Sequence, residues 1–174
     1  DGGFPLWRSE GLPVESGAEK PFPKTYHCQY QPAMLRTLDD MRHNLFSGRE
    51  RVLDARSPGR FYGEEKEPRP GMRAGHIPGS ANLHYATLLT KDGRLKSVTE
   101  LRKLLKAVEV EHDTPVIATC GSGVTACILA LAMEAAGYPQ AAVYDGSWAE
   151  WGREEQKGPP TPVAGKREQI SKSG

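Results

Sequence analysis

The chain has 174 residues with 23 Lys and Arg against 22 Asp and Glu, a net charge of +1, which argues against a surface dedicated to nucleic acid or to membrane and leaves small molecules or proteins as partners. That length suits one α/β domain plus extra segments rather than two complete domains. Three cysteines, without framework spacing, fit a reducing compartment, cytoplasmic or mitochondrial, and no apolar run reaches the roughly 18–20 residues needed to cross a bilayer.

Residues 11–32 carry Pro13, Pro21, Pro23 and Pro32 with Gly11 and Gly17, a density of breakers that predicts a linker, bounded at 16–31. From Pro32, the residues Met34, Leu38, Met41 and Leu45 recur at helical spacing, with Gly48 past the end. They predict a helix that begins at Pro32 and buries one face. Val52-Leu53-Asp54-Ala55 reads as a short buried strand, the polar stretch from Ser57 to Gly75 as a long functional loop, and Ala81-Asn82-Leu83 as a weaker strand. Ser97-Val98-Thr99-Glu100 matches a capping box and opens an amphipathic helix through Leu101, Leu104, Leu105 and Val108. Pro115 to Thr119 is an apolar strand. Val124 to Ala136 is a helix apolar nearly all round, hence largely buried, and Ala141 to Tyr144 is a further strand. This alternation predicts an α/β domain over 32–157, with a central, mainly parallel sheet covered by helices on both faces, followed by a flexible tail over 158–174.

An internal echo suggests a tandem origin. Asp1-Gly2-Gly3-Phe4-Pro5-Leu6-Trp7 and Asp145-Gly146-Ser147-Trp148-Ala149-Glu150-Trp151 share one pattern, Asp-Gly-small-aromatic-x-x-Trp. The second copy closes the domain, so residues 1–15 read as the end of a preceding domain of the same kind. Chance is the competing explanation; the Pro/Gly-rich punctuation after both copies favours the tandem.

The chemistry concentrates at Thr119-Cys120-Gly121-Ser122-Gly123-Val124-Thr125. A cysteine between a buried strand and a helix exposes its sulfur at the carboxyl end of the sheet, where α/β ligand sites form. Gly121 and Gly123 permit a loop whose backbone N–H groups converge, and the helix start adds its positive end, so a thiolate is favoured. Ser122 adds a hydroxyl that can donate to sulfur or pass a proton. Cys127, one turn into the apolar helix, reads as a small core residue, and Cys28 lies in the linker. His27, His43, His84 and His112 show no ligand spacing, so no metal is expected. His76 reads as a loop-fixing residue rather than a base, Asp54 as a structural acceptor of loop amides, and Trp148 and Trp151 as core or interface anchors.

The loop Cys120 to Thr125 resembles that of the 3-mercaptopyruvate sulfurtransferases of the rhodanese superfamily. Asp54-Ala55-Arg56, Gly75-His76-Ile77-Pro78-Gly79-Ser80-Ala81-Asn82 and Asp145-Gly146-Ser147-Trp148 support the likeness. It covers residues 33–152, and residues 1–15 resemble the end of the family's noncatalytic first domain. The resemblance implies a rhodanese-like fold and a two-step sulfur transfer without a cofactor. The Cys120 thiolate takes sulfur from 3-mercaptopyruvate, pyruvate leaves, and the persulfide passes to cyanide or to a thiol such as that of a thioredoxin-like protein. It implies Cys120 and Ser122 as catalytic residues, with Gly121, Gly123, Val124 and Thr125 lining the substrate site and Arg60 and Arg69 matching the family's carboxylate-binding arginines. Arg56 is expected to pair with a carboxylate inside the fold, and Arg73 to face solvent. It further implies a cleft shared with an N-terminal rhodanese domain, absent here or on a separate chain, that contributes acidic and histidine side chains.

Three other readings compete. A thiosulfate sulfurtransferase shares fold and persulfide, but that branch carries basic residues right after the cysteine, where this chain has Gly121 and Ser122. A cysteine phosphatase needs an arginine where Ala126 stands, and without it phosphoryl transfer lacks its main charge stabiliser. A noncatalytic rhodanese module used for binding has no need of Cys120.

Overall fold

The pattern of short apolar strands and capped helices resolves, in a computed structural model describing residues 1–18, 22–156 and 158–165, into one parallel sheet between two helical layers. The strands are β1 (Leu35–Arg36), β2 (Arg51–Asp54), β3 (Ala81–Asn82), β4 (Val116–Thr119) and β5 (Ala142–Tyr144), ordered β1-β5-β4-β2-β3. Every pairing is parallel, with Leu53 opposite Ala118 and Asp54 opposite Thr119. The helices are α1 (Gly3–Ser9), α2 (Leu38–Ser47), α3 (Pro58–Phe61), α4 (Val98–Ala107), α5 (Val124–Ala135) and α6 (Ser147–Trp151).

Alternation along the two central strands divides the core in two. Leu53 and Ala118 join Leu101 and Leu105 of α4 and Leu129 and Met133 of α5 on one face. Val52 and Ile117 join Met41 of α2 and Trp148 and Trp151 of α6 on the other. Full burial of such side chains contributes about 1.5–3 kcal/mol each, so the centre of the sheet is its most securely held part. The strand ends, where the cysteine sits, inherit that rigidity.

Several boundaries differ from expectation. The predicted helix start at Pro32 is a single 3-10 turn, Pro32–Met34, followed by β1; α2 begins only after Thr37. Thr37 and Asp40 form a reciprocal capping box, with Asp40 N–H donating to Thr37 Oγ1 at 3.2 Å and Thr37 N–H to Asp40 Oδ2 at 2.7 Å, which fixes the start more strongly than Pro32 can. The capping box of Ser97 and Glu100 forms as read. Within the polar loop, Ser57 caps the one-turn α3. Along α5, Val124, Cys127 and Leu131 are exposed, so this helix leaves one apolar stripe open where burial nearly all round was expected.

Residues 1–15 bury no side chain of α1 and meet the domain through Leu95 N–H donating to Asp1 and an Arg94–Glu10 ion pair. Residues 22–31 of the linker are exposed and without regular structure; 19–21 lie outside the described residues. The expected flexible tail needs correcting over 158–165. Thr161 is buried, Trp151 Nε1–H donates to Pro162 O at 2.8 Å, and Ala164 and His76 exchange backbone hydrogen bonds. Residues 166–174 lie outside the described residues.

Candidate active site

β4 ends at Thr119 and α5 begins at Val124, so Cys120 to Gly123 form the whole connection. Gly123 sits at φ 81°, in the left-handed region, and a Cβ there would lie 2.8 Å from Asp145 Oδ1. Only glycine closes this turn without strain or collision. No side chain caps α5, and its first amides are free for the sulfur. The Cys120 thiol is under two opposed influences. Burial, the larger single one, pushes its pKa up; the Thr125 hydroxyl and the backbone N–H groups of Ser122, Ala126 and Thr125, all donating to the sulfur, together bring it below the ordinary thiol value.

The convergence expected from the loop is therefore present, with corrections of detail. Cys120 stands at the carboxyl end of the sheet but is 2% exposed, so the sulfur is not open to solvent as expected. Gly123 N–H points elsewhere, donating to Ser147 Oγ at 3.0 Å, and Val124 is not among the sulfur's donors. Ser122 contributes its backbone N–H rather than its hydroxyl, and the side-chain donor is Thr125. Cys127, expected in the core, is exposed, with its Sγ 3.4 Å from Gly123 O.

One functional residue escaped the sequence reading. Ser147, fully buried at φ 50°, accepts from Cys120 N–H at 3.2 Å as well as from Gly123 N–H, and donates to Tyr144 O at 2.8 Å. Trp148 N–H and Ala149 N–H then bond Cys120 O and Gly121 O, each at 2.9 Å. The start of α6 thus clamps the cysteine loop from outside. The signal was present in Asp145-Gly146-Ser147-Trp148, but nothing local in that run says that its serine reaches β4.

Beside the loop lies a pocket of about 120 Å³, lined by Arg60, Glu67, Arg69, Gly121, Ser122 and Trp148 among others. That is well below the roughly 300–1,000 Å³ typical of drug-sized ligands, so the pocket suits a small molecule. Arg60 packs against Gly121, where a Cβ would come 2.9 Å from its Nη2. Its fork is held by Glu67, with Nη2 2.6 Å from Oε2 and Nε 3.3 Å from Oε1. Arg69 is exposed at the pocket rim.

Arg56 pairs inside the fold as expected. It bonds Asp54 at 2.7 Å and Glu67 at 2.8 Å and lies 4.3 Å over the Trp148 ring. Asp54 also accepts from Arg56 N–H at 2.9 Å. Arg73, expected to face solvent, is instead part-buried and donates to Trp151 O, Thr161 O and Thr161 Oγ1. His76 fixes the loop by donating from Nδ1 to Phe61 O at 2.8 Å while stacking on the Phe61 ring. Among the described residues no helix is long and apolar enough to cross a membrane, and no His/Cys/Asp/Glu group is placed to hold a metal.

A strand-to-helix cysteine loop on a five-stranded parallel sheet, clamped by a second loop, is a fold and site together. Residues 37–154 match the rhodanese-like domain, and the chain belongs to that family. Human 3-mercaptopyruvate sulfurtransferase is 44% identical over 151 residues, covering 87% of this chain and 51% of that protein. Thiosulfate sulfurtransferase of Cricetulus griseus is also 44% identical, over 152 residues, with the same coverage of 87% and 51%. Among solved structures, Tum1 of Saccharomyces cerevisiae superimposes with a TM-score of 0.73 at 34% identity, covering 85% of this chain and 55% of that one. SseA of Escherichia coli, from work on 3-mercaptopyruvate sulfotransferases, gives 0.69 at 32% identity, covering 82% and 52%. The chain spans about half the length of the curated relatives it matches.

Proposed function

We propose that this chain carries the sulfur-transferring half of a 3-mercaptopyruvate sulfurtransferase, and the observation that carries the reading is the strand-to-helix loop that holds Cys120, clamped by Ser147, with its thiol pKa brought below the ordinary value. In the first step the thiolate attacks the donor's sulfur. An S–S bond forms, the C–S bond breaks, and the carbon keeps the electron pair as the enolate of pyruvate, which then takes a proton. The loop donors that favour the thiolate also favour negative charge on the neighbouring persulfide sulfur, which helps stabilise the carrier between donor and acceptor. In the second step an acceptor thiolate, small or borne by a thioredoxin-like protein, attacks the outer sulfur and releases Cys120.

Relatives of both donor specificities are equally similar, so the choice of donor rests on the pocket. Gly121 and Ser122 follow Cys120 where a dianion would call for basic residues. Arg60 and Arg69 line the same pocket and are suited to a single carboxylate. Replacing either by alanine is expected to slow sulfur transfer from 3-mercaptopyruvate by on the order of tenfold or more, while sparing transfer from an uncharged persulfide donor. Equal losses on both donors contradict carboxylate recognition, and faster turnover of thiosulfate contradicts the donor assignment.

The exposed stripe of α5, formed by Val124, Cys127 and Leu131, and residues 1–15 are consistent with a preceding rhodanese-like domain completing the cleft. A reducing compartment, cytosol or mitochondrion, suits an enzyme that works through a free thiolate.

A further inference from the structure

Behind the pocket, four charged side chains alternate in sign. Asp54 Oδ2 lies 2.7 Å from Arg56 Nη2, Arg56 Nη1 lies 2.8 Å from Glu67 Oε1, and Glu67 Oε2 lies 2.6 Å from Arg60 Nη2. The Glu67 side chain is 5% exposed and joins the buried Arg56 to the pocket-facing Arg60. These four charges cancel. Arg69 is the only other charged residue lining the pocket, and among the described residues it has neither an ion pair nor a hydrogen bond. The wall thus presents one net positive charge. Arg60 Nη1 is likewise without a partner among the described residues, so its fork still has a donor to offer.

We propose that Glu67 is a specificity-determining residue, which sets the pocket to a donor bearing one negative charge and disfavours a dianion. The inference rests on the sulfurtransferase reading above and adds to it what selects the donor. Glu67 neutralises Arg60 without blocking Nη1, so a monocarboxylate finds the charge it needs on Arg69 and a hydrogen-bond donor on Arg60. A dianion such as thiosulfate would leave its second charge uncompensated near a desolvated thiolate, where like charges repel strongly.

The test is Glu67→Gln in the full chain, with sulfur loading of Cys120 followed by intact mass over a range of 3-mercaptopyruvate and thiosulfate concentrations. The glutamine keeps the shape and removes the charge. The ratio of loading efficiency, thiosulfate over mercaptopyruvate, is expected to rise on the order of tenfold. The change should fall in the half-saturating concentration rather than in the rate at saturation, and it should shrink in high salt. Glu67→Asp, which keeps the charge, should retain the wild-type ratio. Loading that falls equally for both donors in Glu67→Gln overturns the role of Glu67 and leaves the sulfurtransferase reading intact. A wild-type chain that loads from neither donor overturns that reading itself. Should Glu67→Gln fail to fold, the wild type decides by protection of Cys120 from a neutral alkylating agent. Pyruvate should protect at a concentration about tenfold lower than sulfate, and equal or better protection by sulfate overturns the inference.

Discussion

Cys120 shows how a buried sulfur can be a poised one. Its burial alone would hold the thiol protonated, and the four donors reverse that balance. Because the folded pKa lies below the ordinary thiol value, the reactive fraction should already plateau at a pH where a free cysteine is still rising. Thr125 is the one side-chain donor among them. Removing a hydrogen bond to a charged group costs about 1.5–3 kcal/mol, so Thr125→Val should move the inflection of the alkylation-rate profile up by about one pH unit or more. An unmoved inflection would mean that the backbone amides alone hold the thiolate. Ser147 acts one step further out, by keeping the loop in the shape that aims those amides.

The loop from Ser57 to Gly75 carries Arg60 and Arg69 and is tied down by His76, whose Nδ1–H holds Phe61 O. Burial, the largest influence, pushes the His76 pKa down; the bond to Phe61 and nearby Asp54 oppose this and Arg56 adds to it. With the folded value below the unfolded one, the unfolded chain takes the proton first. His76 therefore contributes fully above about pH 6.5 and its contribution is lost as pH falls through the folded value. The chain should lose stability below about pH 6.5 by up to roughly 1.4 kcal/mol per pH unit from this group, and His76→Gln should flatten that part of the profile of melting temperature against pH. An identical acid limb in both proteins would place the sensitivity elsewhere. Elements with strong local signals were readable from sequence: the apolar run of β4, the capping box of α4 and the glycine-framed turn into α5. β1 was not, because its two residues gain strand character only by pairing with β5 far along the chain. The start of α2 lies later than Pro32 suggests because the reciprocal Thr37 and Asp40 box fixes it. Cys127 was misplaced because an apolar helix says nothing about which of its faces a neighbour covers.

Residues 158–165 pack against the core face that holds Trp151 through Val163 and pair with His76 through Ala164. Proline and glycine there suggest a loose tail, since composition does not disclose that Thr161 satisfies Arg73 and Gln156 at once. Deleting residues from 158 onward strands several buried polar groups at about 1–3 kcal/mol each. The melting temperature should fall by at least roughly 5 °C, and an unchanged value would show the contacts to be dispensable. Fold, loop and pocket converge on one proposition, that Cys120 carries sulfur. Intact mass after exposure to 3-mercaptopyruvate should rise by one sulfur atom, return to the starting value when a thiol acceptor is added, and stay unchanged throughout in Cys120→Ser. A mass that does not move, or that moves equally in Cys120→Ser, contradicts it.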